Sequence, residues 1–322
     1  MTKNIITGIG GFVASHLADY LLEKGEEVYG TFRWTEDLSN IEHIKSKIHL
    51  LPMDLNDAWS CLSVIEKIKP DYIFHLAAQS YVSDSFIYPA ETIRVNTLGT
   101  LNLLEAIRIV KNKEGYDPVV HVCSSSEVYG LVKKEDIPIK ETQQFNPSNP
   151  YAVGKVGEDM LALMYWTNYG IKTIRTRMFT HTGYRRKMMS AECNFARQIA
   201  RIEKGLQEAT VYHGNLESIR TWADVRDAVK AYYILVRTCK PGEVYNIGGD
   251  TTKTIGEMLN YLISLSARKE IKTVVDPQLL RPYDVTLQIP DTSKFKTETG
   301  WKPEYTFENT MQEVLRYWRE HV

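Results

Sequence analysis

The sequence predicts an α/β protein: a doubly wound parallel sheet followed by a smaller α/β C-terminal substrate lobe. Through residues 1–178, short apolar runs alternate with amphipathic stretches of helical length, the pattern of βαβ units with helices on both faces of a sheet. A glycine-rich turn, Gly8-Ile-Gly-Gly11, stands between the first apolar run and the first amphipathic stretch. From residue 179 to 322 the alternation loosens, which marks the second lobe. No repeat or low-complexity linker separates the two, so they are expected to be interwoven.

The first strand is expected over 4–7 and the first helix over 11–24, closed by Gly25. Further strands are expected over 27–32, 48–53, 72–75, 119–123 and 173–177. Long helices are expected over 89–111 and 151–169. In the lobe, helical patterns cover 192–204, 225–238, 255–266 and 307–321.

With 322 residues and 43% hydrophobic content, the chain can bury a full core. A net charge of −1 makes no electrostatic case for nucleic acid. No run reaches the length of a membrane span, and Met1-Thr-Lys3 leads straight into a strand pattern, so a cytoplasmic protein is expected. The four cysteines, Cys61, Cys123, Cys193 and Cys239, lack metal or disulfide spacing, and no metal is expected.

Chemistry concentrates at His121-Val-Cys-Ser-Ser-Ser-Glu-Val-Tyr-Gly130 and Tyr151-Ala-Val-Gly-Lys155. Tyr151 and Lys155 lie one helical turn apart and share a face, and an ammonium beside a phenol lowers the phenol's pKa, which makes Tyr151 a candidate base. Ser125, where a strand gives way to a turn, could hydrogen-bond the oxygen that Tyr151 deprotonates. With a nicotinamide as hydride acceptor, that trio suffices to oxidise an alcohol. Glu127 adds a carboxylate able to remove a second proton. In the glycine loop, Gly8 and Gly11 allow backbone N–H groups of Phe12 and Val13 to approach a pyrophosphate at a helix N-terminus. The second strand runs into Arg33 without a carboxylate, which favours NADP over NAD.

These segments together resemble the extended short-chain dehydrogenase/reductase family, and within it the nucleotide-sugar 4,6-dehydratases of the GDP-mannose group. The resemblance rests on Thr7-Gly-Ile-Gly-Gly-Phe-Val-Ala14, where the family usually shows T-G-x-x-G-F-x-G, on His75-Leu-Ala-Ala-Gln-Ser80, on Gly214-Asn-Leu-Glu-Ser-Ile-Arg-Thr-Trp222 and on Leu280-Arg-Pro282. It implies a Rossmann-type first domain. It also implies cofactor contacts at Asp54, Leu55, Leu76, Ala77 and Ala78, and sugar-nucleotide contacts at Gln79, Ser80, Thr180, Arg185, Arg220 and Arg281, the last two clamping the diphosphate.

The activity implied is an internal redox loop on a GDP-linked sugar. Tyr151 takes the proton of the 4-hydroxyl as hydride leaves C4, the ketone acidifies C5, Glu127 abstracts the C5 hydrogen, water leaves from C6, and the hydride returns there. Ser126 stands where the thymidine-linked glucose dehydratases carry Asp, so Glu127 serves as both base and acid. Thr180 precedes His181 where Asn is common, which opens the sugar beyond mannose to a GDP-linked heptose or amino sugar. A structural role is expected for His181. Asp224-Val-Arg-Asp227 and Gly300-Trp-Lys-Pro303 resemble GDP-4-keto-6-deoxy-sugar reductases equally well, and that activity, or an epimerase, is the alternative. Gln79, where such reductases tend to show Lys, and the pair Arg185-Arg186 favour the dehydratase. The helices over 89–111 and 151–169 resemble those that pair such enzymes into homodimers or homotetramers.

Overall fold

The computed structural model describes residues 2–280 and 285–322. At its centre β1 (Lys3–Thr7), β2 (Glu27–Phe32), β3 (His49–Pro52), β4 (Tyr72–His75), β5 (Val119–Ser125) and β6 (Lys172–Met178) form a parallel sheet with the strand Val244–Ile247. From one edge the order is Val244–Ile247, β6, β5, β4, β1, β2, β3. The chain winds outward from β1 to β3, then crosses to β4 and winds the other way. Between β1 and β4 the connections diverge and leave a crevice at the carboxyl ends of the strands.

Neighbouring strand residues face opposite sides of the sheet, and both sides are apolar because both are covered. Ile6 and Phe74 pack with Leu17 and Leu21 of α1 (Phe12–Glu23) and with Tyr232 of the helix Val225–Thr238. Ile5, Ile73 and Val120 pack on the other side with Ile65 of α2 (Ala58–Ile68), Leu104 of the helix Gly99–Glu114 and Tyr165 of the helix Pro150–Tyr169.

Two features depart from the sequence expectation. The strand Val244–Ile247 is not among the expected strands, and with the helix Val225–Thr238 it returns from the C-terminal half to complete the first sheet. The helix expected over 89–111 is also not uniform. It begins as Pro89–Ile93, widens to a π-turn over Arg94–Leu98, and continues as Gly99–Glu114. Such a widening shifts the side chains it carries. Asn96, buried within it, accepts the Gln79 N–H at 2.8 Å and donates to the Gln79 carbonyl at 3.0 Å, tying the loop after β4 in place.

The lobe has its own core, built from Phe195 and Ile199 of Ala191–Glu203, Leu262 of Ile255–Ser264, and Met311 and Val314 of Phe307–Glu320. Its strands Thr251–Thr254 and Leu287–Gln288 flank Ile219–Asp224, which also pairs with His181–Thr182.

One buried ion cluster joins the helix Pro150–Tyr169 to β6. Asp159, fully buried, accepts Arg175 Nη1 at 2.8 Å and Arg177 Nε at 2.9 Å. Asp159→Asn would leave two buried guanidinium groups without a carboxylate, an expected loss of about 3–5 kcal/mol. Urea unfolding monitored by circular dichroism measures it, and a change below about 1 kcal/mol would contradict the argument.

Candidate active site

The end of β5 and the start of the helix Pro150–Tyr169 meet at the carboxyl edge of the sheet. Asn149 caps that helix, accepting the Ala152 N–H at 2.8 Å, and Pro150 supplies the fixed φ of its first turn. The cap also enters the site, since Asn149 Nδ2 donates to Glu127 Oε2 at 3.1 Å. Ser125 caps the short turn Ser126–Tyr129, accepting the Glu127 N–H at 3.2 Å, and its hydroxyl acts on the Tyr151 phenol, pulling the phenol's pKa down. Ser125, Glu127 and Tyr151 are therefore brought together by two helix caps. Lys155 Nζ lies 5.9 Å from the Tyr151 ring centroid and donates to the Cys123 carbonyl at 2.9 Å.

The electrostatics differ from the sequence expectation. Burial raises the Tyr151 pKa and outweighs Lys155 and Ser125, which both pull it down. Lys155 is the strongest pull downward, and Glu158 opposes it. Its buried carboxylate pairs with Lys155 at 2.9 Å, cancels part of the ammonium's field, and itself raises Tyr151. Burial pushes Glu158 up to about 7 against the pull of Lys155. Glu158 follows Lys155 by three positions on a helix, a spacing that places both on one face and could have identified it from the sequence.

Around β1 the loop fits a dinucleotide. Gly8 adopts φ +69°, where a side chain would be strained, and a Cβ there would lie 3.0 Å from Ala77. Gly11 begins α1 with no side-chain cap and no acidic residue in the first turn, so the backbone N–H groups near Phe12 and Val13 are left to meet an anion. Thr7 Oγ1 accepts the N–H groups of Leu76 and Ala77, each at 3.0 Å, which brings the loop carrying Ala78 against the glycine turn. Leu55 is buried against Gly99, and Asp54 closes a local turn by accepting the Asn56 N–H at 2.9 Å. Arg33 is exposed at the end of β2.

The residues expected to contact substrate are dispersed. Gln79 folds onto Tyr81, Ser80 is exposed, and the Thr180 carbonyl accepts the Ala223 N–H at 3.0 Å. Ser126 donates its hydroxyl to Gln288, whose backbone is in register with Arg220. Ser126 thus links the catalytic turn to the lobe. Arg185, at φ +67°, spends its fork on Asp19 at 2.7 Å, His16 at 2.8 Å and the Asn40 carbonyl at 3.1 Å. Arg186 pairs instead with Glu192 at 2.9 Å. His181 stacks on Phe12, and burial lowers its pKa to about 4. Arg281 lies outside the described residues.

Residues 5–314 match the family model described as GDP-mannose 4,6 dehydratase. The chain belongs to that family. It is similar to the GDP-mannose 4,6-dehydratase of Yersinia enterocolitica, with 32% identity over 98% of this chain and 93% of the relative. It is equally similar to the GDP-6-deoxy-D-mannose reductase of Pseudomonas aeruginosa, with 32% identity over 100% of this chain and 99% of the relative. Among solved structures, RMD from Pseudomonas aeruginosa complexed with NADPH superimposes with a TM-score of 0.85 at 30% identity, covering 100% of both chains. The UDP-glucose 4-epimerase of Thermus thermophilus in complex with NAD superimposes with a TM-score of 0.86 at 25% identity, over 100% of both.

For a GDP-mannose 4,6-dehydratase family member, the additions to the sequence-derived site are Asn149, Glu158, Asn96 and Gln288. Only the first two had a local signal, one as an Asn-Pro helix start and the other in its spacing from Lys155. Among the described residues, no helix is long and apolar enough to cross a membrane.

Proposed function

We propose that this protein works as an NAD(P)-dependent enzyme on the C4 hydroxyl of a GDP-linked hexose or heptose, and that it is a GDP-sugar 4,6-dehydratase. A bound nicotinamide supplies the hydride acceptor. Tyr151 takes the hydroxyl proton, Ser125 holds the same oxygen, and Lys155 carries positive charge beside the phenol. Arg220 and Arg281 grip the diphosphate of the substrate. Arg33 supports a 2′-phosphorylated cofactor, whereas Glu36 beside it opposes one.

The observation that carries the dehydratase reading is Glu127. Its carboxylate is tethered by Asn149, two residues from Ser125 and at the cap of the helix that bears Tyr151. A ketone at C4 acidifies C5, and a fixed carboxylate beside the base that acted at C4 is suited to remove that proton.

A second reading, reduction of a GDP-4-keto-6-deoxy sugar, is favoured by the end-to-end match with the Pseudomonas aeruginosa reductase, whose length this chain spans more fully than it does the Yersinia dehydratase. Incubation with GDP-mannose, a GDP-heptose and GDP-N-acetylglucosamine, followed by mass analysis, tests the first. Loss of water supports the dehydratase. Absence of water loss, with NAD(P)H-dependent reduction of a GDP-4-keto-6-deoxy sugar, replaces it with the reductase.

Association as a homodimer is proposed as well. Ile93, Leu98 and Ile109 on one helical segment and Val153 and Met160 on the other are exposed apolar residues suited to pairing with a second copy. Light scattering that reports a monomer would refute it.

A further inference from the structure

The segment after β2 folds back over the glycine loop, and two side chains hold it there. Glu36 Oε2 accepts the Arg33 N–H at 3.2 Å, and the Gly10 N–H also acts electrostatically on its carboxylate. Asn40 Nδ2 donates to the Gly10 carbonyl at 3.0 Å. The approach is so close that a Cβ on Gly10 would lie 3.0 Å from Glu36 Oε1 and 2.4 Å from the Asp37 carbonyl oxygen. A half-buried carboxylate therefore occupies the angle between the glycine loop and the end of β2. In dinucleotide-binding sheets the adenosine ribose meets the protein in that angle, where a carboxylate accepts the 2′-hydroxyl and a guanidinium pairs with a 2′-phosphate.

Glu36 and Arg33 compete for this position from unequal settings. Turning Glu36 away would leave the Arg33 N–H without its acceptor and would carry the carboxylate away from the Gly10 N–H, which costs more than moving a free side chain. Arg33 is exposed, where solvent and salt weaken its attraction for a phosphate. Arg33 and Lys187 both act electrostatically on Glu36, so part of their positive charge is already answered by the carboxylate. A 2′-phosphate would meet a fixed anion and two partly neutralised cations.

We propose that Glu36 sets the cofactor preference of this protein: its carboxylate accepts the ribose 2′-hydroxyl and repels a 2′-phosphate, so the chain takes NAD in preference to NADP. This rests on the dinucleotide reading of the glycine loop and is independent of the sugar reaction. Arg33 then balances Glu36, and the 2′-phosphate role expected from its sequence position is not its main one.

Calorimetry on protein freed of nucleotide tests the assignment without any turnover. NAD is expected to bind the wild type more tightly than NADP, and Glu36→Gln is expected to shift the ratio toward NADP by about tenfold, because two cations then face the phosphate unopposed. Tighter binding of NADP by the wild type, or a variant ratio within about threefold of the wild-type ratio, overturns the proposal. Should circular dichroism report that Glu36→Gln misfolds, fragments decide on the wild type alone. Tighter binding of 5′-ADP than of 2′,5′-ADP supports the assignment, and the reverse order overturns it. If neither dinucleotide binds, the cofactor reading fails along with it, whereas loss of the sugar activity alone leaves this inference standing.

Discussion

Tyr151→Phe is expected to lower turnover by about a thousandfold while dinucleotide affinity stays within about threefold, because the change removes one proton acceptor and no phosphate or ribose contact. Phenylalanine keeps the ring that packs beside Lys155 and loses only the phenolic oxygen on which Ser125 acts. Steady-state rates with the substrate identified by mass analysis, combined with calorimetric cofactor binding, separate the two effects. Activity within about tenfold of wild type would remove Tyr151 from the base role. The pH dependence carries a further sign. Burial raises the Tyr151 pKa, and Lys155 offsets this only in part, so the rate of alcohol oxidation should climb toward alkaline pH as the phenolate fraction grows. Glu158→Gln should distort that profile more than it changes substrate affinity, since Glu158 reaches the phenol only through charge. A profile identical to wild type would mean that the Glu158 carboxylate has no electrostatic part in the site.

Features whose causes are local were legible in the sequence. The helix beginning near Tyr151, the one-turn spacing of Tyr151 and Lys155, and the glycine turn between β1 and α1 each depend on residues a few positions apart. The layered sheet followed from the same short-range patterns. What escaped is set by chain return. The Val244–Ile247 strand joins β6 from far along the chain, and a four-residue apolar run in an irregular region has no periodicity to announce it. Ser126 reaches Gln288 across 162 positions, and Arg185 finds His16 across 169. Glu36 lies only three residues past Arg33, yet its importance comes from the fold-back that brings it to Gly10. Arg33 is legible as the residue that ends β2, whereas the carboxylate beside it is placed there by the fold-back. The phenol's raised pKa went unseen for a related reason: burial is a property of the packed core, while the Tyr and Lys spacing reports only who is near whom.

Glu127→Gln separates the two proposed reactions more sharply than any other single change. Glutamine preserves the side-chain length and an oxygen that can still accept from Asn149 Nδ2, so the turn after Ser125 should keep its shape. It loses basicity. In a dehydratase the variant should still oxidise C4 with Tyr151 taking the hydroxyl proton, but should lose proton removal from C5, lowering water elimination by about a hundredfold or more. Product formed by the wild type in D₂O should carry deuterium at C5, because the abstracted proton is replaced from solvent. In a reductase no C5 proton is removed, so Glu127→Gln would retain reduction of a 4-keto sugar and neither protein would label C5. Unlabelled product from an active wild type would therefore exclude Glu127 as a solvent-exchanging C5 base and transfer the assignment to the reductase. Labelled product with an unimpaired variant would keep the dehydration but require another base, and Glu127 would then be left with the structural bond to the cap of the Tyr151 helix.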